Sequence, residues 1–312
     1  MSDSKLAEAR EHLKEAEKCL KTGLLKWKPD YEGACIEYGK AAIAFKNAKS
    51  YNEAIDCYLK QLEAEKAHGS LYQAAKAAES AAMLCKEKGD FIRAGDLVEQ
   101  ASELYLEHGV GDTAAIMLSR GAKMLEQATP EKSIQLYKKA CDVAEAQDRM
   151  KECTENIGRA ARVCIKIKKF DDAAKYIGQE LDFMSRTNHG GVLNKLVMGL
   201  VLVHLHREDY VAADQSFQKA LRQYTGFRDS DEAGPIETFL EAYNDGNGEK
   251  AESIARGSLF AYMENEFTKL ARDLKYPKSS TTPATTSAKD SSAAAGGGGE
   301  EEDKDEYDGG LC

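Results

Sequence analysis

The amino-acid sequence predicts an all-α fold, a solenoid of antiparallel helical hairpins, and three observations carry that reading. First, a four-residue marker recurs: an aromatic residue (once a proline), two variable residues, then a small one. It stands at Tyr51-Asn52-Glu53-Ala54, Phe91-Ile92-Arg93-Ala94, Pro130-Glu131-Lys132-Ser133, Phe170-Asp171-Asp172-Ala173 and Tyr210-Val211-Ala212-Ala213, at intervals of 40, 39, 40 and 40 residues. A near-constant period in this range marks arrays of helical hairpins. Second, only Pro29, Pro130 and Pro235 precede residue 276, and so few breakers favour long helices. Third, apolar residues between the markers recur at helical spacing. The expected architecture is a right-handed superhelical array, similar to tetratricopeptide repeats, closed by a C-terminal helical bundle.

The elements follow in order. Residues 1–20 are charged throughout and precede a short loop. Tyr31, Ala34, Cys35, Tyr38, Ala42 and Phe45 form one helical stripe, and Pro29-Asp30 stands ahead of it as a start signal. Leu71 to Cys85 is an alanine-rich helix, stopped by Gly89-Asp90. Phe91 begins the next, with Ala94, Leu97, Val98, Ala101 and Leu104 as its stripe. Gly111-Asp112-Thr113 opens another. Thr129-Pro130-Glu131 reads as a cap, a first-turn proline and an early acid for the helix carrying Ile134 and Tyr137. Residues 150–166, 170–184, 191–206 and 210–224 continue the alternation. Residues 226–235 read as a loop, followed by shorter helices over 236–243, 248–256 and 259–274. The expected organisation is therefore a solenoid over 1–225, a cap over 226–275 and a Ser/Thr/Gly-rich, then acidic, disordered tail over 276–312.

An array is an extended surface, so the pattern favours binding over catalysis. The net charge of −10 is concentrated in residues 300–308, which hold seven acids against one lysine. No strongly basic face for nucleic acid follows from such totals. Eight cysteines, none in a Cys-x-x-Cys pair, read as small buried hydrophobes in a reducing compartment. The charged start and the shortness of the longest apolar run, Val197 to Leu205, point to a cytoplasmic chain. Cys312 is the last residue, so the end is not a prenylation box. No phosphate-cradling glycine loop or nucleophile elbow is present, and His204 and His206 are expected on different sides of one helix, one buried and one exposed. No residue is assigned to catalysis, to a cofactor or to a metal.

Three features rise above this background. Leu24, Leu25 and Trp27 stand in a loop between lysines, a composition suited to a membrane interface with anionic headgroups and equally to packing back on the first hairpin. Basic residues gather at hairpin ends and helix starts: Lys46, Lys49, Lys86, Lys88, Arg120, Lys123, Arg159, Arg162, Lys166, Lys168 and Lys169. On one face they would attract an acidic partner. Acids mark the C-terminal region: Glu237, Glu241, Glu249, Glu252, Glu264 and Glu266, then the acidic run before Leu311-Cys312.

The segment Ala34-Cys35-Ile36-Glu37-Tyr38-Gly39-Lys40-Ala41-Ala42, with Phe45-Lys46-Asn47-Ala48-Lys49 after it, resembles the soluble NSF attachment proteins. Leu25-Lys26-Trp27-Lys28-Pro29-Asp30-Tyr31 and the terminal Gly-Gly-Leu-Cys resemble the gamma branch of that family in particular. The likeness spans residues 1 to about 275. It implies an adaptor, not an enzyme, that coats the SNARE four-helix bundle of the syntaxin type and recruits the hexameric ATPase NSF to take it apart. It implies a peripheral membrane contact through Leu24, Leu25 and Trp27. It implies SNARE contacts at Lys49, Lys86, Lys88 and Arg159, with Ile116 standing where other members carry lysine. It implies NSF contacts through Glu237, Glu241, Glu249, Glu252 and Leu311, and no cofactor. A peptide-binding co-chaperone of the tetratricopeptide type is the alternative; its shorter 34-residue repeat counts against it.

Overall fold

A computed structural model describes residues 2–23, 27–186 and 190–277, and every regular element among them is helical. Five helices open the chain: α1 (Ser2–Leu20), α2 (Tyr31–Asn47), α3 (Tyr51–His68), α4 (Leu71–Lys88) and α5 (Phe91–Glu107). Then come α6 (Gly111–Leu125), α7 (Pro130–Glu145), α8 (Met150–Lys166), α9 (Phe170–Ser185), α10 (Gly190–His206) and α11 (Tyr210–Gln223). Four shorter helices follow: α12 (Ala233–Asn244), α13 (Gly248–Ala255), α14 (Ser258–Ala261) and α15 (Asn265–Asp273). From α1 to α15 each helix packs against its neighbour in sequence, and α15 also reaches back to α8 and α10. The described residues fall within one compact unit. Leu24, Leu25, Leu311, Cys312 and the acidic run lie outside the described residues.

The repeat marker proves to be a packing device. Its five first residues are the first residues of α3, α5, α7, α9 and α11. The aromatic ones lie half-buried against the core, and the small residue three positions on (Ala54, Ala94, Ser133, Ala173 or Ala213) is fully buried. A methyl group at that point lets two helices approach closely. Ser133 fills the same place because its hydroxyl donates to the Ala122 carbonyl at 2.8 Å.

Caps and turns set the pitch. Asp30, Asp90 and Asp209 accept from the backbone N–H of Gly33, Arg93 and Ala212 at 2.9, 3.2 and 2.9 Å, satisfying one orphan donor at each helix start. Thr129 does not cap α7: its hydroxyl is buried with no partner among the described residues, and Pro130 supplies the helix start instead. The turn before α5 carries Gly89 at φ 86°, whereas the turns before α3 and α9 place Lys49 and Lys168 in the same left-handed region at φ 61° and 60°.

Two boundaries differ from the sequence reading. Part of the expected loop 226–235 is helical, because α12 starts at Ala233 with Gly234-Pro235 in its first turn, where proline's missing N–H is harmless. The expected helix over 259–274 is two helices, α14 and α15. At the centre of this end, α10 buries Leu193, Leu196, Val197, Met198, Leu200, Val201, Leu202, Val203 and Leu205 among α9, α11 and α15. Gly199 makes the approach of α15 possible: a Cβ there would sit 2.6 Å from the Phe267 ring. Cys35, Cys57, Cys85, Cys141, Cys153 and Cys164 are buried thiols. Burial pushes Cys35, Cys141 and Cys164 up to about 12, so these thiols stay protonated at neutral pH.

Candidate interaction surface

Much of the expected basic set lies on the first helices of successive hairpins, α2, α4, α6 and α8, or in the turns that end them. Lys49 is exposed in the turn that ends α2, and Lys86 and Lys88 are exposed in the last turn of α4. Arg120 and Lys123 are exposed on α6, and Arg159 on α8. Lys49, Lys86, Lys88 and Arg159 enter no ion pair among the described residues. The fold brings Lys86 and Arg120 to the rim of one cleft between α4 and α6. Arg159 lines a second cleft of about 400 Å³ beside Glu126, Arg162 and Lys166. Lys49 shares neither cleft.

Three residues of the expected basic set stand in ion pairs, Arg162 within the fold and Lys166 and Lys169 at its surface. Arg162 ion-pairs with Glu180 and donates to both Glu264 oxygens at 2.8 Å. Lys166 lies 3.7 Å from Glu126 and 3.6 Å from Glu266, and Lys169 lies 3.5 Å from Glu131. The partners come from different elements: Glu180 of α9 and Glu264 for Arg162, Glu126 after α6 and Glu266 of α15 for Lys166, and Glu131 of α7 for Lys169.

The same contacts divide the acids. Glu237, Glu241 and Glu249 are exposed on α12 and α13. Glu252 is half-buried and accepts from Arg256 at 2.6 Å, one turn along α13. Glu264, half exposed, and Glu266, half-buried, pair with α8 through Arg162 and Lys166. Hydrogen bonds from Arg162 keep Glu264 below the usual carboxylate range, whereas burial pushes Glu180 above it despite the same guanidinium. The Arg162 guanidinium also lies 4.9 Å over the Phe267 ring. This cluster escaped the sequence reading; Gly158, where a Cβ would meet Glu180 at 2.5 Å, was its one local trace.

The apolar loop is described only in part. Trp27 is 88% exposed, with Lys28 exposed beside it. The loop base is fixed by the Asp30 N–H, which donates to the Cys19 carbonyl at 2.9 Å, and by the Asp30 cap on α2. His204 and His206 are both half-buried rather than split between core and solvent. His206 Nε2 lies 2.9 Å from the Leu270 carbonyl and His204 Nδ1 lies 2.8 Å from Arg207, so each ring has a structural neighbour. No helix among the described residues is long and apolar enough to cross a membrane.

Comparison with known proteins places this surface in context. Residues 7–256 match the family model "Soluble NSF attachment protein, SNAP". The chain belongs to the soluble NSF attachment protein family. It is 30% identical over 265 residues to the gamma-soluble NSF attachment protein of Arabidopsis thaliana, covering 84% of this chain and 90% of that one. It is 25% identical to the gamma-soluble NSF attachment protein of Dictyostelium discoideum over 280 residues, covering 90% and 86%. Among solved structures it is similar to BtubC (BKLC) from P. vanneervenii at 15% identity and TM-score 0.36, covering 71% of this chain and 90% of that one. Members of the soluble NSF attachment protein family are adaptors and not enzymes.

Proposed function

We propose that this protein is the adaptor through which NSF acts on assembled SNARE complexes at membranes. The exposed side of α2, α4, α6 and α8 lies along the acidic four-helix bundle. Lys49, Lys86, Lys88 and Arg159 face its carboxylates, with Arg120 and Lys123 between them. Glu237, Glu241, Glu249, Glu252 and Leu311 serve the NSF side, and Leu24, Leu25 and Trp27 touch the membrane. Even weak membrane contact raises the local concentration of adaptor at the SNAREs.

The observation that carries this reading is that the four candidate SNARE-contacting cations are exposed and without an ion pair among the described residues, whereas Arg162 is consumed by the fold and Lys166 and Lys169 are paired at the surface. Charges left unanswered in this way attract an opposite surface and set its on-rate, and such attraction is screened by salt. The test is capture of purified SNARE complex at rising salt. Binding should fall steeply with salt and drop in the Lys49→Glu, Lys88→Glu double variant. Salt-indifferent binding that the double variant retains would contradict the charge-led interface.

A further inference from the structure

Between the cations of α4 and α6 lies an apolar feature that charge alone does not explain. The cleft there holds about 310 Å³, the lower end of the range for ligand pockets. Its floor is Met83, Met117 and Met124, with Val98 rising from α5. Gly121 lets Val98 reach that floor, since a Cβ at 121 would sit 2.4 Å from its methyl group. Met83 remains 46% exposed, a large thioether left facing solvent. The pairing of apolar residue and cation recurs on neighbouring helices: Ile43 stands one turn before Lys46, and Ile116 one turn before Arg120, each about half exposed.

The charge at the rim is one-sided. Glu79 is the carboxylate in the lining, and it is answered within the fold by Lys76 at 2.9 Å and by the Tyr105 hydroxyl, which donates at 3.2 Å. Lys86 and Arg120 have no such answer among the described residues. A methionine floor under a cationic rim is complementary to a large apolar side chain flanked by carboxylates, and methionine's flexible, polarisable chain adapts to more than one shape.

We propose that this cleft is an anchor pocket. It takes one large apolar side chain projecting from the acidic helical partner, while Lys86 and Arg120 close on carboxylates beside it. The proposal rests on the SNARE-adaptor reading and adds to it a desolvated contact of the kind that dominates interface energetics. It also separates the roles of neighbouring residues: the cations steer, and the methionines hold.

The experiment uses the full chain with methyl-labelled methionine and purified, assembled SNARE complex. On adding the complex, the methyl signals of Met83, Met117 and Met124 should shift or broaden, while that of the core residue Met198 stays in place. In parallel, Met83→Gln with Met124→Gln should weaken binding about tenfold at low and high salt alike, whereas Lys86→Gln with Arg120→Gln should weaken it chiefly at low salt. Wild type that binds the complex with its three floor methyls unmoved overturns the anchor pocket and leaves the adaptor reading intact. Wild type that does not bind the complex at all overturns both. Shifts at the same methyls that grow with protein concentration, without complex, assign the cleft to a second copy of this chain and also overturn the proposal.

Discussion

Arg162 of α8 and Glu264, at the entrance to α15, meet through two hydrogen bonds of 2.8 Å across 102 residues of chain. The guanidinium also holds Glu180 of α9 and lies over Phe267, so one side chain ties the fourth hairpin to the closing helices. Removing Arg162 leaves Glu180 buried and unpaired, and breaking a buried pair in this way costs about 3–5 kcal/mol. Glu264→Gln keeps Arg162 paired with Glu180, and Glu264 is half exposed, so its loss should cost only about 1 kcal/mol. Urea unfolding at neutral pH measures both. Equal losses for Arg162→Ala and Glu264→Gln would contradict this division.

Acid should release part of the same cluster. Arg162 holds Glu264 low, and Glu99 is also low because hydrogen bonds from Lys132 and Lys139 outweigh its burial. A folded value below the unfolded one, about 4.3, gives stability that is complete above that pH and fades as pH falls through the folded value. Glu180 acts in the opposite sense, since burial raises it and acid relieves its desolvation. The urea midpoint should therefore fall below about pH 4.5, and fall less in Glu264→Gln than in wild type. A steeper acid loss in the variant would reverse the sign argued here.

Lys49 allows charge and fold to be separated. Its left-handed backbone, φ 61°, disfavours a side chain by about 1 kcal/mol, and the equivalent turn before α5 uses Gly89. Lys49→Gly should leave the thermal midpoint unchanged or raise it, while SNARE capture weakens several-fold. A variant that is stable and binds as wild type does would remove Lys49 from the interface.

Trp27 is the chain's single tryptophan and is 88% exposed, so its fluorescence reports the loop without labelling. Anionic vesicles should shift its emission to the blue. Leu24→Ser with Leu25→Ser should abolish that shift and slow SNARE disassembly on liposomes but not in detergent. Equal loss in liposomes and detergent would assign the loop to folding.

How far the sequence could be read follows from the range of the interactions involved. The hairpins were legible because the signal is local: Phe91 and Ala94 lie three residues apart, and their roles repeat at a fixed pitch. The Asp30 start was equally local, whereas Asp90 was read as a stop and proves also to cap α5, and the Asp209 cap was not read. The exposed cations at Lys49, Lys86, Lys88 and Arg159 could be named but not separated from Arg162, Lys166 and Lys169. What separates them is contact with distant helices, the return of residues 264–266 onto α8 for Arg162 and Lys166 and Glu131 of α7 for Lys169, which no spacing rule encodes. The methionine cleft was hidden for a similar reason, since Met83, Val98 and Met117 belong to three different helices.

The most direct test of the adaptor assignment is ATP-dependent disassembly of a purified SNARE complex by NSF, with and without this protein. Disassembly should require the protein and should fall at least tenfold with the Lys49→Glu, Lys88→Glu variant. Disassembly that proceeds equally without the protein, or equally with that variant, would contradict the account.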